Sequence, residues 1–326
     1  MQRQLLLLIG AAFMINLICS CDTRESEEPG LLVPLTVKDD PTLSSIQVNG
    51  TILHLQAFGD PNDPLIVIIH GGPGIDSRSS LNMQTLAEQG YYVVFYDQRG
   101  MGLSQRHNAE VYSIQIMIDD LKAVIDHYQS PGQKVYLLGH SWGAMLATGF
   151  VNEETHPVDG LILIEPGGFN WEDTKDYVED SRDLKLFGEA TNDAVYLDQF
   201  LTGSDHNTLD YKEGQRMAIS FASGNKVGNT APVPIWRYGA VAEKALFDYA
   251  EDHPFDFTTN LQQFNTKTLF VYSELNEAYG QAYAEELASN FVNVQLAEIM
   301  DVGHEIPFFG WTSLEPVILA YLEEMN

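Results

Sequence analysis

Gly139-His140-Ser141-Trp142-Gly143 carries the residue types and spacing of a nucleophile site, following the apolar run Val135 to Leu138 and leading into the helix-like Ala144 to Ala147. A G-x-S-x-G between strand and helix makes a sharp turn that lifts the serine hydroxyl above a parallel sheet, within reach of a base. The flanking glycines let strand and helix approach closely around a strained residue. Ser141 is therefore the candidate nucleophile, and the chemistry is acyl transfer through a covalent intermediate. His70-Gly71-Gly72-Pro73-Gly74 follows the apolar run Leu65 to Ile69, and its glycines allow a backbone excursion that turns amide hydrogens toward a ligand. Gly72 and the Trp142 amide, immediately after the nucleophile, are the candidate oxyanion hole.

These loops need a sheet to hold them. Apolar runs of strand length fall at Thr51 to Phe58, Leu65 to His70, Tyr91 to Tyr96, Lys134 to Gly139, Gly160 to Glu165, Thr268 to Ser273 and Val294 to Ile299. Helical patterns alternate with most of them, at Ser80 to Gln89, Ile114 to Gln129, Trp142 to Glu154, Ala278 to Asn290 and Thr312 to Glu323. Crossover units of this kind build a mostly parallel, doubly wound α/β sheet buried on both faces. Between the presumed sixth and seventh strands lies an insertion, 167–263, with helix-like pieces at Trp171 to Phe187, Asp193 to Leu201 and Val241 to Ala250. A structureless loop of that length is implausible, so a mainly helical cap is expected there.

HGGPG at 70–74, DQRGMGLS at 97–104 and GHSWG at 139–143 together resemble, in order and spacing, the proline iminopeptidase-like branch (peptidase family S33) of the α/β-hydrolase superfamily. The resemblance covers about 45–165 and 265–326 and implies an α/β-hydrolase fold. It also implies that His304, in Asp301-Val302-Gly303-His304-Glu305 between the last strand and the final helix, is the general base. Asp97 and Arg99 read as a charged pair pinning their turn. The acid is where the chain departs from its relatives, which carry aspartate three residues after a glycine at the end of the seventh strand. Ser273-Glu274-Leu275-Asn276 places Asn276 there, and asparagine cannot supply the charge that stabilises imidazolium. Glu165 is the first substitute, because Ile164-Glu165-Pro166-Gly167 ends the sixth strand, an alternative acid position in pancreatic-type lipases. Glu274 is the alternative acid, and Glu277 a further rival. The resemblance implies a serine hydrolase without cofactor, releasing an N-terminal residue, often proline, from short peptides. The cap lacks the W-x-x-W-E-like segment of iminopeptidases, offering Pro234-Ile235-Trp236-Arg237-Tyr238 instead. A carboxylesterase acting on small esters stays open, as does a noncatalytic surface lipoprotein that binds a ligand or peptide. Glu172, Asp173 and Glu243 are candidate amine partners that the sequence alone does not separate from a solvated acidic face.

The net charge of -29, from 17 basic and 46 acidic residues, repels phosphate backbones and makes nucleic acid an improbable partner. No histidine pair or acidic cluster has metal-ligand spacing, so no metal is expected. The leader, residues 1–20, carries Arg3 before the apolar stretch Leu5 to Ile18, too short for a convincing membrane span and read as a secretory signal. Ile18-Cys19-Ser20-Cys21 resembles the lipobox of bacterial lipoproteins, with Cys21 the lipidated residue and residues 21–43 an exposed, acidic, proline-punctuated tether. An acidic run after the lipidated cysteine resembles export signals of Bacteroidetes surface lipoproteins. The expected location is the outer membrane or cell surface, held by a lipid anchor alone, with a periplasmic or secreted protein as the alternative. Both cysteines lie in this leader region, so the remainder, 44–166 and 264–326 with the cap between, depends on its core rather than on disulfides. Cys21→Ser should release the protein from membranes; unchanged partitioning into detergent would contradict the anchor.

Overall fold

The computed structural model describes residues 33–153, 158–181, 203–222, 226–229 and 231–326. The leader, Cys21 and the helical pattern at Asp193 to Leu201 lie outside the described residues, as do parts of the tether and of the Trp171 to Phe187 pattern.

Eight strands form one sheet in the order β1-β2-β4-β3-β5-β6-β7-β8: β1 Ser45–Val48, β2 Thr51–Phe58, β3 Leu65–Ile69, β4 Tyr92–Tyr96, β5 Val135–His140, β6 Gly160–Ile164, β7 Thr268–Ser273 and β8 Val294–Ile299. Only β2 runs antiparallel to its neighbours; β3 through β8 pair in parallel. Alternation along each central strand divides its side chains between two cores. Leu65, Val67 and Ile69 enter one, with Leu137, Leu163 and Phe270, under helices α1 Ile114–Tyr128 and α2 Trp142–Glu153. Ile66, Ile68, Leu138, Ile162 and Val271 enter the other, under the 3-10 segment Ser77–Gln89 and the C-terminal helix Trp311–Met325. Each such side chain taken from water stabilises the fold by about 1.5–3 kcal/mol. The sheet is thus fixed on both sides, and the loops at its carboxyl edge sit on a rigid base.

The described part of the insertion is helical: α3 Trp171–Asp180, α4 His206–Ala222 and α5 Ala240–Asp252. Helix α4 is unreadable by apolar periodicity because ions hold it. Buried Asp210 accepts from Arg106 Nε at 3.0 Å, from Arg237 Nε at 2.6 Å and from the Ala240 amide at 3.1 Å, joining the catalytic body to two stretches of cap. Asp76, whose pKa burial and the charge of Asp97 push up to about 8, accepts from the Trp236 and Arg237 amides at 2.5 and 2.9 Å.

Two expectations are corrected. The tether is not exposed throughout: Thr36 and Val37 are buried, the Val37 amide donates to Leu103 O at 2.8 Å, and Arg237 Nη1 donates to Pro34 O at 2.8 Å. An apolar valine and an unpaired carbonyl found partners on the body, which composition alone does not register. Asp97 and Arg99 do not pair with each other. Asp97 takes His54 Nδ1 at 2.8 Å, Ser77 Oγ at 2.7 Å and the Leu103 amide at 2.8 Å, whereas Arg99 forks onto Asp120 with two 2.8 Å bonds. Each still fixes a loop, through a different partner.

Arg99→Ala strands the buried Asp120 charge and should cost about 3–5 kcal/mol. Lys244→Ala, which breaks the exposed pair with Asp248, should cost less than about 0.5 kcal/mol. Denaturant midpoints check this; equal shifts would contradict it.

Candidate active site

Ser141 sits at the sharp corner between β5 and α2 with φ 53°, a left-handed conformation, and its amide donates to Ile164 O at 2.8 Å. Such strain costs on the order of 1–3 kcal/mol and needs surrounding structure to impose it. Gly143 permits the approach: a Cβ there would lie 2.0 Å from Ile69 O, so α2 could not close on β3 with any larger residue.

Glu165 begins the loop after β6, also at positive φ (43°), with its amide bonded to Val271 O at 2.9 Å. Its carboxylate is fully buried, and Oε2 lies 2.7 Å from His304 Nδ1. Three donors from the end of β7 and the turn after it complete its shell. Oε1 accepts from the Ser273 amide at 2.7 Å and Ser273 Oγ at 2.5 Å, and Oε2 accepts from Asn276 Nδ2 at 2.9 Å. Asn276, in the position where relatives carry the acid, thus holds the substitute. The same Nδ2 donates to Tyr177 Oη at 3.1 Å, placing that hydroxyl 3.4 Å from His304 Nδ1. Glu274 points elsewhere: exposed, it accepts from the Asp301 amide at 2.8 Å and steadies the loop that carries His304. Glu277 is exposed as well. Ser273 and Tyr177 went unread in the sequence; a serine ending the strand beside the vacant acid position was the available signal.

Burial alone would pull the His304 imidazolium down; the hydrogen bond and charge of Glu165, with the charge of Glu305, outweigh it and raise the pKa above 6.5. His140 donates from Nε2 to His304 O at 2.8 Å, and its ring lies 4.7 Å from the His304 ring. Burial and the neighbouring His304 hold its pKa well below the ordinary value, so it steadies the loop without adding charge.

The two glycine-rich loops are locked together. His70 Nδ1 donates to Gly71 O at 2.8 Å while its Nε2 accepts from the Gln98 amide at 3.0 Å, a neutral tautomer that burial favours. The Gln98 side chain donates to His70 O at 2.8 Å and accepts from Trp142 Nε1 at 2.9 Å, linking both loops to the nucleophile turn. Gly72 (φ 117°), Ser141 and Trp142 border one small chamber.

That chamber, about 50 Å³, is otherwise walled by apolar side chains including Met145, Trp171, Leu246 and Phe255. A second chamber of about 180 Å³ shares Gly72, Ser141 and Tyr177 and adds His304, Glu305, Asn229, Tyr238 and Glu243. Ser141 and His304 therefore face one cavity. Glu172 is exposed and Asp173 is spent capping α3 through Asn170, so neither lines it.

A mostly parallel eight-stranded sheet with the Ser141 corner after β5, a histidine loop after β8 and a helical cap after β6 is the α/β-hydrolase fold. Residues 60–195 match the family described as Serine aminopeptidase, S33. Proline iminopeptidase PfmaB of Pestalotiopsis fici is 23% identical over 80% of this chain and 92% of its own length. AB hydrolase superfamily protein YfhM of Bacillus subtilis is 31% identical over 36% of this chain, and the match spans only 41% of that protein. Among solved structures, the esterase EaEST from Exiguobacterium antarcticum superposes with a TM-score of 0.61 at 21% identity, over 86% of this chain and 99% of that one. The fold is that of the α/β-hydrolases, and within it residues 60–195 are similar to the S33 serine aminopeptidases.

Glu165→Gln should lower kcat by roughly four orders of magnitude, whereas Glu274→Gln should retain most turnover. With neutral His304 as the base, kcat/KM should fall as pH drops through its raised pKa. Without the Glu165 charge that pKa falls, and the acid limb of residual activity should move to lower pH. An unmoved limb would show that Glu165 does not act on His304.

Proposed function

We propose that the chain is a serine hydrolase working through an acyl-enzyme on small ester or amide substrates, held at the cell envelope by Cys21. The observation that supports this most is the 2.7 Å contact between a buried Glu165 carboxylate and His304 Nδ1, with His304 Nε2 left for Ser141 in the shared cavity. Ser141 Oγ attacks the carbonyl carbon as His304 takes its proton, and the Gly72 and Trp142 amides receive the oxyanion. The carbonyl–heteroatom bond then breaks, and His304 returns the proton to the departing alcohol or amine. Water repeats the sequence on the acyl-enzyme and releases the acid. A second reading, an aminopeptidase on short peptides, is favoured by Glu243 on the cavity wall and by the likeness to a proline iminopeptidase over most of its length.

A fluorophosphonate probe should label the wild type and not Ser141→Ala. His304→Ala should lose most turnover, and the double variant little beyond the worse single one, because the two act as a unit. A folded protein that never labels would favour the noncatalytic binding module.

A further inference from the structure

The two chambers at Ser141 differ in chemistry, and the base touches only one of them. His304 lines the larger chamber and not the smaller, while Trp142 lines the smaller and not the larger. A base that must protonate the departing group has to face it, so the leaving group occupies the larger chamber and the acyl group the smaller. The acyl chamber has room for only a few carbon atoms, and no carboxylate lines it among the described residues. An α-ammonium on the acyl part would enter that apolar space without a counter-charge, at considerable desolvation cost.

The leaving-group chamber is built the other way. Glu243 and Glu305 line it, and among the described residues no Lys or Arg does. Arg216 lies behind this wall, with its Nε on both carboxylate oxygens of Glu213 at 3.0 and 2.9 Å and a 3.2 Å contact to Glu243. Glu305 is 9% exposed, and its Oε2 is buried with no hydrogen-bond partner. A carboxylate oxygen left orphaned beside a catalytic cavity calls for an explanation. A substrate cation in the adjoining chamber supplies one, since opposite charges beside a buried, low-dielectric wall attract more strongly than in water.

We propose that the substrate joins a short, uncharged apolar acyl group to a cationic leaving group, whose positive charge is recognised by Glu305 with Glu243. This rests on the serine-hydrolase reading and names its substrate class. In the acylation step the Ser141 oxygen–carbon bond forms, the ester carbon–oxygen bond breaks, and the cationic alcohol leaves with the proton that His304 had taken from Ser141. Water then supplies the oxygen and protons that release the short-chain acid and restore the serine.

The test compares three substrates on the purified full chain: butyrylcholine, its uncharged isostere dimethylbutyl butyrate, and alanyl para-nitroanilide, which carries its cation on the acyl side. The wild type should favour butyrylcholine over the isostere by roughly tenfold or more in kcat/KM, a modest fraction of what a close charge pair supplies. Glu305→Gln should collapse that ratio toward one, and Glu305→Asp should restore part of it. Equal rates on the two esters, a ratio unmoved by Glu305→Gln, or preference for the alanyl anilide would each overturn the proposal. So would failure to turn over any of the three by a protein whose Ser141 still labels with fluorophosphonate. In each of these outcomes labelling leaves the serine-hydrolase reading standing, whereas absence of both labelling and hydrolysis removes that reading itself.

Discussion

Glu165 and His304 meet at 2.7 Å with the carboxylate wholly out of water, an arrangement tolerable only where the charge is matched by donors. Ser273 supplies two and Asn276 a third, all from the end of β7 and the turn after it. The acid is carried by β6 and its support by β7, so the parallel register of these strands sets the site. Strand β6, which pairs with both β5 and β7, fixes the nucleophile too, because the Ser141 amide bonds Ile164 O at its end. Moving β6 against either neighbour would disturb the acid and the nucleophile together.

Buried polar contacts also settle how the cap meets the body. Buried Asp76 on the body takes two cap amides, buried Asp210 on the cap takes Arg106 from the body together with Arg237 of the cap, and Arg237 extends the network to Pro34. Such networks are directional, unlike apolar contacts, and fix orientation as well as proximity. The cap places Tyr177, Tyr238 and Glu243 on the cavity wall, so this orientation decides what the serine can be offered.

The sheet was legible in the sequence because β3 through β7 are continuous apolar runs, the signature of strands covered on both faces, while β2 and the edge strand β8 alternate as partly exposed strands do. β1 was missed, being four residues long with a half-exposed burial pattern. Its turn was nonetheless signalled by Asn49-Gly50, both at positive φ (41° and 74°), the residue pair that a tight hairpin demands. Helix α4 escaped for another reason: its buried positions include Asp210 and Glu213, which read as solvent-facing until their arginines are located in space. At the site, the sequence narrowed the acid to Glu165, Glu274 or Glu277, and only the fold distinguishes the one facing His304 from the two facing solvent. The donor shell of Glu165 was not readable, since Asn276 and Ser273 lie over a hundred positions away along the chain.

The central claim is that a buried, charged Glu165 holds the Nδ1 proton of His304, and proton NMR of the imidazole reads that bond directly. Wild-type protein should show a strongly downfield His304 Nδ1–H resonance that persists in Glu274→Gln and disappears or moves well upfield in Glu165→Gln. A resonance unchanged by Glu165→Gln, or lost in Glu274→Gln instead, would contradict the account.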